Sequence, residues 1–126
     1  VVLKSENNKV AGVLLFAVTE KRKENLNKSA ILYKMPFPNT YSSGTVCWGS
    51  SGVSQYGARD CQGVLTEFFS SRFNGDLIDK ASKEHPDDIR EMLIELTGKE
   101  EYPVNDLVPS SSFASLSELL ERGGTR

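Results

Sequence analysis

Residues 10–18 (VAGVLLFAV) are apolar at nearly every position, and charged or polar residues close the run on both sides. A short continuous run of Val, Leu and Phe predicts a strand covered on both faces better than it predicts a helix. Residues 20–28 (EKRKENLNK) read as a solvated, charged connection. Residues 29–33 (SAILY) read as a second strand, so the two are expected to pair antiparallel. Further on, Val64, Leu65, Phe68 and Phe69 recur at helical spacing and predict a short amphipathic helix over 64–72, its aromatics facing the core. Phe73-Asn74-Gly75-Asp76 supplies the stop and turn.

Pro86, Asp87 and Asp88 make a helix start, since Pro suits a first turn and carboxylates complement the amino-terminal dipole. Ile89, Met92, Leu93 and Leu96 then fall at i, i+3, i+4 and i+7, and Gly98 ends the run. Beyond Pro103 the chain turns loop-like until a last short helix. That helix is signalled by Ser115 and Glu118 at capping-box spacing, with Leu116, Leu119 and Leu120 on one face and Gly123-Gly124 as its end. No internal repeat is visible. Strands first and helices later make an α+β arrangement, the helices segregated from an antiparallel sheet.

Between these halves lies residues 35–49, MPFPNTYSSGTVCWG. Two X-Pro steps, Met35-Pro36 and Phe37-Pro38, push the preceding residues out of the helical region. Ser42-Ser43-Gly44 is turn chemistry. The stretch is therefore expected to run extended, turn, leave the sheet edge and present Cys47 on a short extended exit. A cysteine on such a frame, with the Asn39 amide a fixed distance before it, is a candidate nucleophile. Residues 49–63, rich in Gly and Ser, read as a loop with exposed Tyr56 and Arg59, either a specificity element beside the frame or a plain linker. His85 reads first as a surface or capping residue, because nothing in the sequence ties it to Cys47.

Composition narrows the classes. At 126 residues the chain fits one domain, with 38% apolar and 25% charged residues as in ordinary globular proteins. A net charge of −2 gives no electrostatic reason to expect nucleic acid or an anionic membrane as partner. No apolar run approaches the roughly 20 residues of a membrane span, and Lys4, Glu6 and Lys9 interrupt any signal peptide. A start at Val1 rather than Met points to a fragment with an upstream segment missing. Cys47 and Cys61 could close a glycine-containing loop as a disulfide, but one cysteine pair without export signals favours reduced thiols in the cytoplasm. Two cysteines and the lone His85 fall short of a four-ligand set, so neither metal nor other cofactor is expected.

The segment around Cys47 resembles the active-site segment of ubiquitin-conjugating enzymes. In that superfamily His-Pro-Asn lies upstream of a Tyr or Phe, a Gly and the catalytic Cys. Here Pro38-Asn39, Tyr41, Gly44 and Cys47 take those places in order, with Asn39 eight positions before Cys47, and Phe37 stands where the His would be. The longer context, LYKMPFPNTYSSGTVCWG followed by FFSSRFNGDL, is similar to prokaryotic ubiquitin-conjugating-like family D, which includes protein B of the plasmid-associated PRTRC system. The resemblance covers roughly residues 10–77 and does not reach the carboxy-terminal helices with comparable specificity.

The resemblance implies a UBC-like fold over 1–126: an antiparallel β-meander, the Cys47 segment, then carboxy-terminal helices, without the fold's amino-terminal helix. It implies a bacterial acyl transferase that accepts a ubiquitin-like protein from an activating (adenylating) enzyme as a Cys47 thioester and passes it to an amine or thiol. A metal-dependent deubiquitinase-type peptidase belongs to the implied neighbourhood. Cys47 would be the nucleophile and Asn39 an oxyanion donor or turn support. Phe37, Pro38, Tyr41, Gly44, Trp48 and Gly49 would shape the site, with Trp48 as either channel wall or core. No cationic side chain lies within four positions of Cys47, which suits a carrier exchanging with an activated thioester better than a protease attacking an amide. Two rivals stay open: a non-catalytic module of the same fold that binds a ubiquitin-like protein or activating enzyme, and a cysteine hydrolase pairing Cys47 with His85.

Overall fold

Asn7 and Asn8 both adopt positive φ, 52° and 63°, the backbone that a tight two-residue hairpin turn requires and that Asn tolerates. On this turn β1 (Val2–Glu6) and β2 (Lys9–Leu14) fold back antiparallel, with Glu6 opposite Lys9 and a register shift between Lys4 and Ser5. The computed structural model that shows this describes residues 1–48 and 52–123. β1 is absent from the hydrophobic pattern because its last three residues are exposed and polar. β2 fits the expected two-sided strand. Val13 packs into a cluster with Val10, Leu15, Val46, Val53, Val64 and Phe68, while Leu14 joins Leu32 and Leu119 on the other side.

The run expected over 10–18 divides at Leu15, whose amide donates to the Gly44 carbonyl at 2.8 Å. Past that point β3 (Phe16–Ala17) pairs antiparallel with β4 (Tyr33–Lys34) in a second small sheet. The architecture is thus mixed α/β with two short antiparallel sheets instead of one continuous meander. Only the end of the strand expected over 29–33 enters β4; Ile31 forms an isolated bridge with Ser115. The segment after Pro103 is not loose either. Ser110 donates to Leu32 O (3.0 Å), and Leu32 donates back to Ala114 O (3.1 Å), so the chain end runs along residues 30–34.

α1 (Cys61–Ser70) begins at Cys61 rather than Val64, because the Asp60 carboxylate accepts from the Gly63 amide at 2.8 Å and caps it. Gly63 is required there: a Cβ would stand 2.6 Å from the Tyr56 ring. Tyr56, expected in the open, is half-buried against the first cluster, and Val53 beside it is buried. The described part of the 49–63 loop therefore packs onto the core; Val10 donates to Tyr56 O at 3.1 Å. Asp60→Ala is expected to lower stability by about 1 kcal/mol, read as a shift of the urea midpoint at unchanged slope.

α2 (Ile89–Glu95) starts one residue after Asp88, whose carboxylate accepts from the Arg90 amide at 2.9 Å; Pro86 lies ahead of the cap. Gly98 follows with φ 82°. Ile89 and Met92 bury with Ala81 in a third cluster. Beneath it Asp106 is 6% exposed. Burial alone would raise its pKa, but the Tyr102 hydroxyl, the Glu84 amide and the Ser82 hydroxyl donate to it and hold it below the usual carboxylate value. α3 (Leu116–Gly123) carries the expected cap: Ser115 Oγ accepts from the Glu118 amide (3.2 Å), and the Glu118 carboxylate accepts from the Ala114 amide (2.7 Å). Leu119 faces in at 2% exposure, and Leu120 faces out.

Candidate active site

Residues 39–47 form a tight hairpin. The Tyr41 amide donates to Thr45 O (2.8 Å), the Gly44 amide to Tyr41 O (2.9 Å) and the Cys47 amide to Asn39 O (2.7 Å), with Thr40 bridged to Val46. A three-residue loop, 42–44, ending on a glycine with φ 89° is the pattern of a bulged hairpin. The outer arm does not leave the sheet edge as expected but extends it. Val46 donates to Val13 O at 3.1 Å, and Leu14 bridges Thr45.

Alternation along the arms decides which side chains face out. Thr40 (2% exposed) and Val46 (6%) point into the protein, so Tyr41, Thr45 and Cys47 share the outer face. Tyr41 and Cys47 sit diagonally across the hairpin, within reach of an aromatic side chain. Hydrogen bonding to Cys47 first, then the charge of a Cys47 thiolate and more weakly that of Asp76, raises the Tyr41 phenol above its ordinary range. Asp76, read from the sequence as a turn residue, stands in the Asn74-Gly75-Asp76 turn, where Asn74 Oδ1 accepts from its amide at 3.0 Å.

Asn39 is buried at 6% with φ 65°. Its Nδ2 donates to the Arg72 carbonyl at 2.8 Å, tying the hairpin base to the exit of α1. Pro38 is fully buried beside it. Phe37 fills a nest of phenylalanines, with ring centroids 5.3 Å from Phe69, 5.9 Å from Phe73 and 6.4 Å from Phe68. Trp48 stacks edge-on against Phe68 at 6.3 Å, and its buried Nε1 has no partner among the described residues. Gly49 lies outside the described residues.

Other candidates stay apart. Cys47 and Cys61 are both free thiols, Cys61 exposed at the start of α1. His85 contacts Glu91 and Glu95 through its two ring nitrogens, and none of its described contacts runs to Cys47. Among the described residues no helix is long and apolar enough to cross a membrane.

The arrangement presents a half-exposed sulfur on a backbone-bonded hairpin, with Tyr41 on the same face. Such a site can form and release an acyl-sulfur bond. No curated protein and no solved structure matches the chain. A family model described as prokaryotic E2 family D matches residues 1–110, reaching well past the segment that carries the motif. The chain belongs to prokaryotic E2 family D.

Proposed function

We propose that the protein is a ubiquitin-conjugating-like carrier whose Cys47 takes a ubiquitin-like protein from an activating enzyme as a thioester and passes it to an amine or thiol. The observation that supports this most is the outward presentation of Cys47 on the 39–47 hairpin, in a chain that belongs to an E2 family. The Cys47 thiolate attacks the thioester carbonyl on the activating enzyme, the new S–C bond forms, and the enzyme's own thiolate leaves. An acceptor amine later attacks the Cys47 thioester, loses a proton, and Cys47 departs as thiolate. The Tyr41 hydroxyl, on the same face of the hairpin, donates to that leaving thiolate and steadies it. Asn39 serves by holding the hairpin base through Arg72. The reading includes a single UBC-like unit over 1–126 and a cytoplasmic setting in which both thiols stay reduced.

The test is to incubate the chain with its cognate activating enzyme, ATP and the ubiquitin-like protein, and to run the products without reductant. The reading requires an adduct that reductant removes. A chain left unmodified while the activating enzyme is charged would reject it and leave a binding module of the same family.

Phe37 takes the place of the superfamily's His by packing instead of polar bonding. Phe37→His is therefore expected to lower stability by about 1–3 kcal/mol, with denaturant unfolding as the measurement.

A further inference from the structure

Glu84, His85 and Glu95 each bring one donor atom, two carboxylate oxygens and one imidazole nitrogen, within 4.8 Å of one another. They come from two elements: Glu84 and His85 from the segment before α2, Glu95 from its last turn. That segment is fixed from beneath. The Glu84 amide donates to Asp106 at 2.8 Å, and the His85 amide donates to Ser82 Oγ at 3.0 Å, with Ser82 itself buried and bonded to Asp106 at 2.9 Å. The donors are thus held by a buried polar network rather than by a free loop.

The two nitrogens of His85 face carboxylates on opposite sides, Nδ1 to Glu91 at 3.1 Å and Nε2 to Glu95 at 2.7 Å. The Glu84 carboxylate, which has no hydrogen-bond or ion-pair partner among the described residues, reaches the same spot, so that three donor atoms from two elements converge there. A dication would serve all the facing groups. A carboxylate on the far nitrogen is also the usual companion of a metal-bound imidazole. Glu84 and Glu95 line an open cavity of about 710 Å³ walled by Met92, Leu96 and Tyr102. Lys21, on the same cavity, is paired with Glu101 at 2.6 Å.

We propose that Glu84, His85 Nε2 and Glu95 bind a divalent transition cation of the zinc class, with Glu91 orienting the ring through Nδ1. One imidazole and two carboxylates suit such a cation better than magnesium or calcium, which favour all-oxygen sets. Three protein donors leave a position open towards the cavity for water. The ion fastens the segment before α2 to the last turn of that helix.

The test uses zinc alone, titrated calorimetrically into chelator-treated chain carrying Cys47→Ser and Cys61→Ser, so that thiols cannot bind it. A single zinc per chain is expected. His85→Ala and Glu95→Gln should each weaken binding by at least about 100-fold, and Glu91→Gln by about 10–100-fold. Because His85 is the chain's one histidine, its ring ¹⁵N resonances report directly, and Nε2 should shift on zinc addition without any variant needing to fold. No saturable uptake at millimolar zinc, uptake indifferent to His85→Ala and Glu95→Gln, or unmoved ring resonances would each overturn the site. The readout needs no activating enzyme, so it stands apart from the carrier reading.

Discussion

Cys47→Ala is expected to leave the chain unable to form any adduct with a ubiquitin-like protein, and Cys47→Ser to form one that reductant does not remove. The sulfur faces outward on an arm whose neighbour Val46 faces in, so the substitution removes the reacting atom and little packing. Unfolding midpoints of both variants should therefore stay near that of the parent. A hydroxyl is a poorer nucleophile than a thiolate, so the Ser adduct should build up slowly, and as an oxyester it should persist under reductant. Tyr41→Phe separates acceptance from release. It removes the hydroxyl that would donate to the leaving thiolate while keeping the ring, so the thioester should still form but discharge to an added amine about tenfold more slowly, the rate equivalent of one hydrogen bond to a charged group. Single-turnover discharge of pre-loaded chain measures this. An adduct that survives Cys47→Ala would place the acceptor elsewhere and remove the carrier reading.

The parts of this site that were legible in the sequence are local. X-Pro steps and a Ser-Ser-Gly turn encode an extended run, a turn and an extended exit, and the family match agrees with the motif; that the two arms pair and extend the sheet edge was not legible. The two-sided strand around Val13 and Leu14 was legible because every neighbour is apolar. What stayed hidden depends on partners distant in the chain. β1 looks polar because only its first two residues are partly covered. The strand after Leu14 divides because the Leu15 amide finds Gly44. Nothing in the local pattern shows that Asn39 ties to Arg72, or that Ser110 and Ala114 bond to Leu32. The carboxylates around His85 escaped for another reason. A ligand count of cysteines and histidines leaves out Glu84 and Glu95, which only the fold brings together.

Gly44→Ala is expected to damage both the fold and the presentation of Cys47. Two effects combine at one methyl group. The backbone at Gly44 has φ 89°, a conformation that L side chains rarely adopt. The new Cβ would stand 2.8 Å from Phe16 Cε1 and Cε2, and closer still to Cζ. Phe16 has little room to retreat, since it packs edge-on against Phe113 at 6.1 Å within the second cluster. Backbone strain and overpacking together should cost about 2–4 kcal/mol, a large share of a typical domain's stability. Gly44 also carries two of the bonds that set the hairpin, accepting from Leu15 and donating to Tyr41, so a shift away from Phe16 loosens the arm that ends at Cys47. Gly57→Ala is the matched control: a Cβ there meets nothing within 4 Å, and its midpoint should stay within about 0.5 kcal/mol of the parent. Denaturant unfolding of the pair, followed by thioester formation under conditions where the Gly44 variant is still mostly folded, separates stability from presentation. A Gly44→Ala chain as stable as the Gly57→Ala control would mean that the turn and the Phe16 ring do not hold Cys47 as described.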